Sequence, residues 1–131
     1  MYTVSWLVPQ QVIVIKLSGH VTAEAMLAMD SEIVPLCAGS PHIVHLLGDL
    51  AEAQSLPTLF TLRQLRISRL PNLGWSIGYG SSNVMVRSLL LVTSAVAGTK
   101  SRLFKTRAAA LHFLSTVDNT VKLPADEKNL L

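Results

Sequence analysis

The chain predicts an α/β domain: a mixed sheet of about five strands with four helices, in the order β-β-α-β-α-β-α-β-α. Three observations lead there. Two runs rich in Val, Ile, Trp and Leu lie side by side at the N-terminus with only Pro9-Gln10 between them, the pattern of a hairpin. Beyond them, short apolar runs alternate with longer segments of helical character, which implies a sheet closed by right-handed crossovers. Glycine or proline punctuates most of the junctions. At 131 residues the chain has the length of one domain and can bury a core without staples.

The elements follow in order. Tyr2–Val8 and Gln11–Ser18 form the hairpin, and the second run is apolar on both faces, as a central strand is. Gly19-His20 ends it. Thr22 is a suitable N-cap for a helix whose inner face holds Ala25, Met26, Met29, Ile33 and Leu36, with Glu24, Asp30 and Glu32 for the wet side. Pro35 is expected to kink or end this helix, and Gly39 closes the segment. His42–Leu47 reads as a buried strand ending at Gly48-Asp49, followed by a loop around Glu52–Pro57. Thr58 caps a second helix to about Leu70, stopped by Pro71-Asn72. Leu73–Tyr79 is a short strand, Asn83–Ala97 a helix stopped by Gly98, Lys100–Lys105 a strand, and Thr106 caps a last helix to Val117. Residues 1–122 are thus read as one domain and 123–131 as a flexible tail.

Half of the chain is apolar and 15% is charged, giving a positive mean hydropathy of +0.43. Average domains carry about 25% charged residues. A weakly charged surface of this kind is commonly relieved by burying apolar area between subunits. The most apolar stretch, Val84–Ala97, is interrupted by Arg87 and falls short of the ~20 residues a membrane span needs. The N-terminus lacks a basic region followed by an apolar run, and Cys37 is the only cysteine, so the expectation is a cytoplasmic protein without a disulfide.

Charge is unevenly placed. Between Ala53 and Val117 there is no acidic residue but eight basic ones: Arg63, Arg66, Arg69, Arg87, Lys100, Arg102, Lys105 and Arg107. Before that segment, Glu24, Asp30, Glu32, Asp49 and Glu52 face Lys16 alone. Such a split points to an acidic partner or an acidic neighbour. A nucleic acid is disfavoured, because the basic residues are spread over two helices and a strand that need not share one face.

The order of elements, together with certain stretches, resembles the SpoIIAA-like fold. That fold is shared by STAS domains (sulphate transporter and anti-sigma-factor antagonist) and by small STAS-like bacterial proteins. The stretches are Val12-Ile13-Val14-Ile15-Lys16-Leu17-Ser18-Gly19, the strand His42-Ile43-Val44-His45-Leu46-Leu47 leading to Asp49, and the strand-then-helix close from Arg102 through Leu114. The resemblance covers roughly residues 2–118. It implies a protein-interaction or regulatory module. One family feature is not carried over. Partner-switching members phosphorylate a serine in an Asp-Ser-Ser-Gly-type turn, whereas here Ser55 has no aspartate before it and no glycine after it.

Candidate sites are few. Asp49, Ser55 and Thr58 mark a candidate ligand or regulatory loop, since ligands of open α/β sheets favour the carboxyl ends of strands. The Gly78-Tyr79-Gly80-Ser81-Ser82 turn could hold an anion before a helix, but its shorter explanation is a strand-to-helix turn with a serine cap. His42 and His45 are three apart, on opposite faces of a strand, and no Cys/His/Asp cluster has metal-ligand spacing. Cys37, among apolar neighbours, reads as a small buried residue rather than a nucleophile. The expectation is no catalytic residue, no cofactor and no metal.

Arg63, Arg66, Arg69 and Arg87 form the candidate interaction surface. On a helical wheel the first three lie beside Leu59, Leu62, Leu65 and Leu70, so they either snorkel at the rim of a buried face or border an interface. The Asn83–Ala97 helix has Arg87 as its only charge, which implies burial on several sides, by a large core or by a second subunit. The expected function is a non-enzymatic interaction module, homodimeric, meeting itself and a further protein. The alternative is a small-molecule or lipid-binding domain. Its apolar pocket would lie between the second and third helices, with arginines at the mouth, suited to an anionic or apolar ligand.

Overall fold

The computed structural model describes residues 1–124. Strands β1 (Tyr2–Val8) and β2 (Val12–His20) form the hairpin, and helix α1 (Ala23–Ala38) leads into β3 (Val44–Ser55). Helix α2 (Leu59–Arg63) and a 3₁₀ turn (Ile67–Arg69) precede β4 (Leu73–Tyr79). Helix α3 (Val84–Ala97), β5 (Ser101–Phe104) and helix α4 (Arg107–Val117) complete the order. The five strands lie in the order β1-β2-β3-β4-β5. β1 runs antiparallel to β2, and the remaining pairs are parallel. The protein is therefore α/β with a mixed five-stranded sheet and four helices. Among the described residues no helix is long and apolar enough to cross a membrane.

Each crossover joins neighbouring parallel strands, so the connecting helices gather on one face of the sheet. That face holds the larger core: Ile13, Ile15 and Leu17 of β2, Leu46 and Leu50 of β3, Met29, Ile33 and Cys37 of α1, with Leu62 and Ile67. The opposite face is covered by α4, where Ala110, Leu111 and Leu114 pack with Val12, Leu47, Ile77 and Tyr79. β2 is buried on both sides, as its two apolar faces require.

Several local expectations give way to tertiary contacts. α1 continues through Pro35 to Ala38. Pro35 is exposed, so the Ser31 carbonyl that loses its backbone donor faces water rather than core. Asp30, assigned above to the wet side of α1, is buried. Its carboxylate accepts the backbone N–H of Ile67 at 3.0 Å and the Nε–H of Arg66 at 3.4 Å. This contact explains why the helix expected over Thr58–Leu70 is broken. The Ile67 N–H that would have bonded the Arg63 carbonyl is taken by Asp30, and that carbonyl accepts from the Arg69 guanidinium at 3.4 Å instead.

β3 is longer than its apolar run. The residues expected to form a loop, Glu52 to Ser55, are strand, because β2 itself extends to His20 and supplies partners: Ser18 opposite Glu52, Gly19 opposite Ala53, His20 opposite Ser55. Lys16 and Glu52 add an ion pair at 3.4 Å across this stretch. At the C-terminal end, Val121 and Leu123 are buried in the second core cluster, so the first residue of the expected tail packs against the domain. The rest of that expected tail, 125–131, lies outside the described residues.

Candidate functional site

The sequence-derived candidates fall in three places. Asp49 sits inside β3 rather than after it, opposite Lys16 on β2 and Tyr79 on β4. Its Oδ1 accepts the Ala51 N–H at 3.1 Å. Ser55 closes the same strand, with its Oγ 2.8 Å from His20 Nδ1. Thr58 stands at the N-cap of α2 but makes no side-chain cap bond there. The three residues therefore do not converge on one loop: Asp49 belongs to the sheet and Thr58 to the helix entry.

Beside Asp49 stands Tyr79 on β4, and beside Tyr79 stands Arg107. Arg107, the first residue of α4, donates to the Tyr79 hydroxyl. Its guanidinium lies 5.7 Å from the Tyr79 ring centroid. Burial pushes the Tyr79 phenol up, Arg107 pulls it down, and the Asp49 carboxylate raises it again. A phenol kept protonated between a guanidinium and a carboxylate joins β3, β4 and α4 at the carboxyl end of the sheet. These partners lie 28 and 30 residues from Tyr79 in the chain, and only the strand register unites them.

A second polar cluster ties the C-terminal segment to the sheet. His45 is buried, and its Nδ1 accepts the Trp75 N–H at 2.9 Å, so the ring proton sits on Nε2. Nε2 donates to Asp118 Oδ2 at 2.8 Å. Asp118 Oδ1 accepts both the N–H and the hydroxyl of Thr120. Those Thr120 bonds first, and His45 second, hold the Asp118 carboxyl below the usual carboxylate range. Gly74 leaves room for the imidazole, since a Cβ there would meet His45 Nδ1 at 2.4 Å. The sequence reading considered His45 only as a metal ligand. Its partner is 73 residues away.

The turn at Gly80 uses a positive φ of 86°, and the helix start behind it is already satisfied. Asn83 Oδ1 accepts the N–H groups of Met85 and Val86, so the cap is Asn83 and not a serine. Cys37 is fully buried in the larger core, and burial pushes its thiol up.

The arginines do not share one task. Arg66 reaches α1 through Asp30, and Arg69 folds back onto the Arg63 carbonyl. Arg87 is exposed in the first half of α3. Helix α3 is the more telling element. Only Val86 is buried on it. Val84, Met85, Leu91, Val92 and Val96 are exposed, Val84 at 70% and Met85 at 78%. Phe60, on the adjoining α2, is exposed at 74%. The core therefore does not cover this helix: its outward side is an apolar stripe three turns long.

Under its inward side lies a cavity of about 210 Å³, between α3, α2 with the following 3₁₀ turn, and the sheet. Leu62 and Leu65 bound it on one side, Leu90 and Leu91 on the other. None of Arg63, Arg66, Arg69 or Arg87 lines it. A pocket thus lies between the second and third helices, but without the arginine mouth expected from the sequence. No protein-family model matches the chain, and neither does any curated protein.

Proposed function

We propose that this protein is a non-enzymatic interaction module of the STAS-like kind that pairs with a second copy of itself through α3. One observation carries the reading: the outward stripe Val84, Met85, Leu91, Val92 and Val96, left exposed by the described residues, with Phe60 exposed on the adjoining α2. Large apolar side chains set together on one face mark an interaction surface rather than ordinary surface residues. A second copy suits this stripe better than an unrelated charged partner. The stripe offers almost no charge for a heterologous partner to read, and apolar interface cores typify homodimers. A two-fold axis across the helix would set each stripe on its own equivalent. The hairpin followed by alternating units supports the STAS-like assignment, as does the expectation from the sequence that this helix needs a cover.

Light scattering after gel filtration tests it. The expected result is a dimer at micromolar concentration. Replacing Met85 and Val92 together by glutamate is expected to give a folded monomer, because both side chains are exposed, with a melting temperature that no longer depends on protein concentration. A strict monomer in the unmodified protein would overturn the proposal.

A further inference from the structure

We infer that the cavity beneath α3 is a binding site for a small, uncharged, mainly hydrocarbon molecule carrying one hydroxyl or carbonyl group. The inference is independent of dimerisation. It starts from the floor of the cavity. Central strands of a parallel sheet are ordinarily filled with Val, Ile and Leu, yet here the floor holds Gly48, Ser76, Gly78 and Ser101. These residues lie on the middle and edge strands under the gap between the helices. Leu50 and Leu103 pack over Gly78, where a Cβ would meet each at 2.8 Å, while a Cβ on Gly48 would meet nothing closer than 3.7 Å, so the space opens over Gly48, Ser76 and Ser101. The space is partly open to solvent, and at about 210 Å³ it holds far more than one water molecule.

The volume sets the size of the ligand. A dry cavity of about 150 Å³ accepts benzene, so this one suits roughly eight to ten heavy atoms. The walls set its character. Leucines dominate them, and no charged residue lines the space, so a carboxylate or ammonium would be buried without a partner. The polar lining consists of hydroxyls, those of Ser68, Ser76, Thr93, Ser94, Thr99 and Ser101. Ser68 and Thr93 donate to the carbonyls of Leu65 and Leu89 in their own helical segments. Ser76 and Ser101 are direct partners across β4 and β5. Among the described residues their hydroxyls form no hydrogen bond within the chain, and both line the cavity. Two adjacent uncommitted hydroxyls in an apolar space can recognise one hydroxyl or carbonyl oxygen. The exposed edge of Leu91, which also lines the cavity, gives a route in from the α3 side.

The test uses the full chain with methyl-labelled leucines and 1-octanol as probe, with octanoate as the charged match of equal length. Octanol is expected to shift the methyl resonances of Leu62, Leu65, Leu90 and Leu103 in a saturable way. Octanoate is expected to bind at least about tenfold more weakly, because its charge would be desolvated without a partner. Ser101→Ala keeps the sheet and is expected to weaken octanol by roughly three- to tenfold, the loss of one hydrogen bond. Ser94→Phe, which fills the space from α3, should abolish the shifts; if that variant does not fold, the Ser101→Ala series decides alone. Running the titration also on the Met85→Glu/Val92→Glu chain separates the site from the subunit contact. Absence of saturable shifts in the cavity methyls overturns the inference, as does octanoate binding as tightly as octanol.

Discussion

Replacing Asp30 by alanine removes the acceptor that positions the 3₁₀ turn on α1. The carboxylate is buried and holds two donors of unequal worth. The Ile67 N–H is a buried main-chain group with Asp30 as its acceptor at 3.0 Å. Leaving such a donor unsatisfied costs about 1–3 kcal/mol. The Arg66 side chain is 59% exposed and its Nε stands 3.4 Å away, so water screens the pair and it contributes about 0.5 kcal/mol. Asp30→Ala should therefore lose about 2–3 kcal/mol, a fall of roughly 10 °C in melting temperature for a domain of this size. Arg66→Ala should lose about 0.5 kcal/mol. Asp30→Asn retains an acceptor for Ile67 and should lose about 1 kcal/mol. Urea unfolding of the three variants measures each value, and an unchanged m-value shows that the reference states are comparable. If Arg66→Ala proves as costly as Asp30→Ala, the ion pair holds the turn and the reasoning from the main-chain N–H is wrong. Equal losses for Asp30→Asn and Asp30→Ala would show the same.

Two further outcomes follow from the His45 cluster. Asp118 has a lowered pKa, so its bonds to Thr120 and His45 contribute stability that is complete above the unfolded carboxyl value of about 3.9 and fades as pH falls through the lower folded value. The gap in unfolding free energy between the native chain and Asp118→Asn should be constant from pH 7 to about pH 5 and close towards pH 2; a gap that widens on acidification would contradict it. Gly74→Ala should destabilise by about 2 kcal/mol or more, because the new methyl meets an imidazole held at both nitrogens. Gly48→Ala is its control: the nearest atom stands at 3.7 Å, and thermal melting should move little.

The coarse architecture was readable because its signals are local. The alternation of Ile13, Ile15 and Leu17 with Val12 and Val14 specified a strand buried on both faces. Thr22 and Thr106 cap their helices by side-chain bonds, as their positions suggested. The misread elements are those whose ends depend on a distant partner. β3 passes Gly48-Asp49 because β2 continues for four residues, Leu17 to His20, beyond Lys16, the partner of Asp49. The second helix stops at Arg63 because a carboxylate from α1, 37 residues earlier, captures Ile67. Pro35 lacks the donor a helix wants, but the cost is small where the freed carbonyl faces water.

The candidate site shows the same limit in a sharper form. The wheel placed Arg66 beside leucines and left open whether it snorkels or borders an interface. The structure gives Arg66 a third place: its side chain is largely exposed and its head meets the buried Asp30. For α3 the sequence showed too few charges to wet the helix, and the described residues leave most of its outward side bare. The cavity was the hardest feature to read. Gly48, Ser76, Gly78 and Ser101 are spread over three strands and look like turn and surface residues when met singly. They become a floor only when parallel register brings Gly48 beside Gly78 and Ser76 beside Ser101. Small residues carry information about function only after the sheet has placed them together, and here they lie directly beneath the helix whose other side is uncovered. The two sides of α3 thus pose one physical problem, too much apolar surface for one chain to bury, and any occupant of the cavity that shifts α3 would also shift the stripe above it.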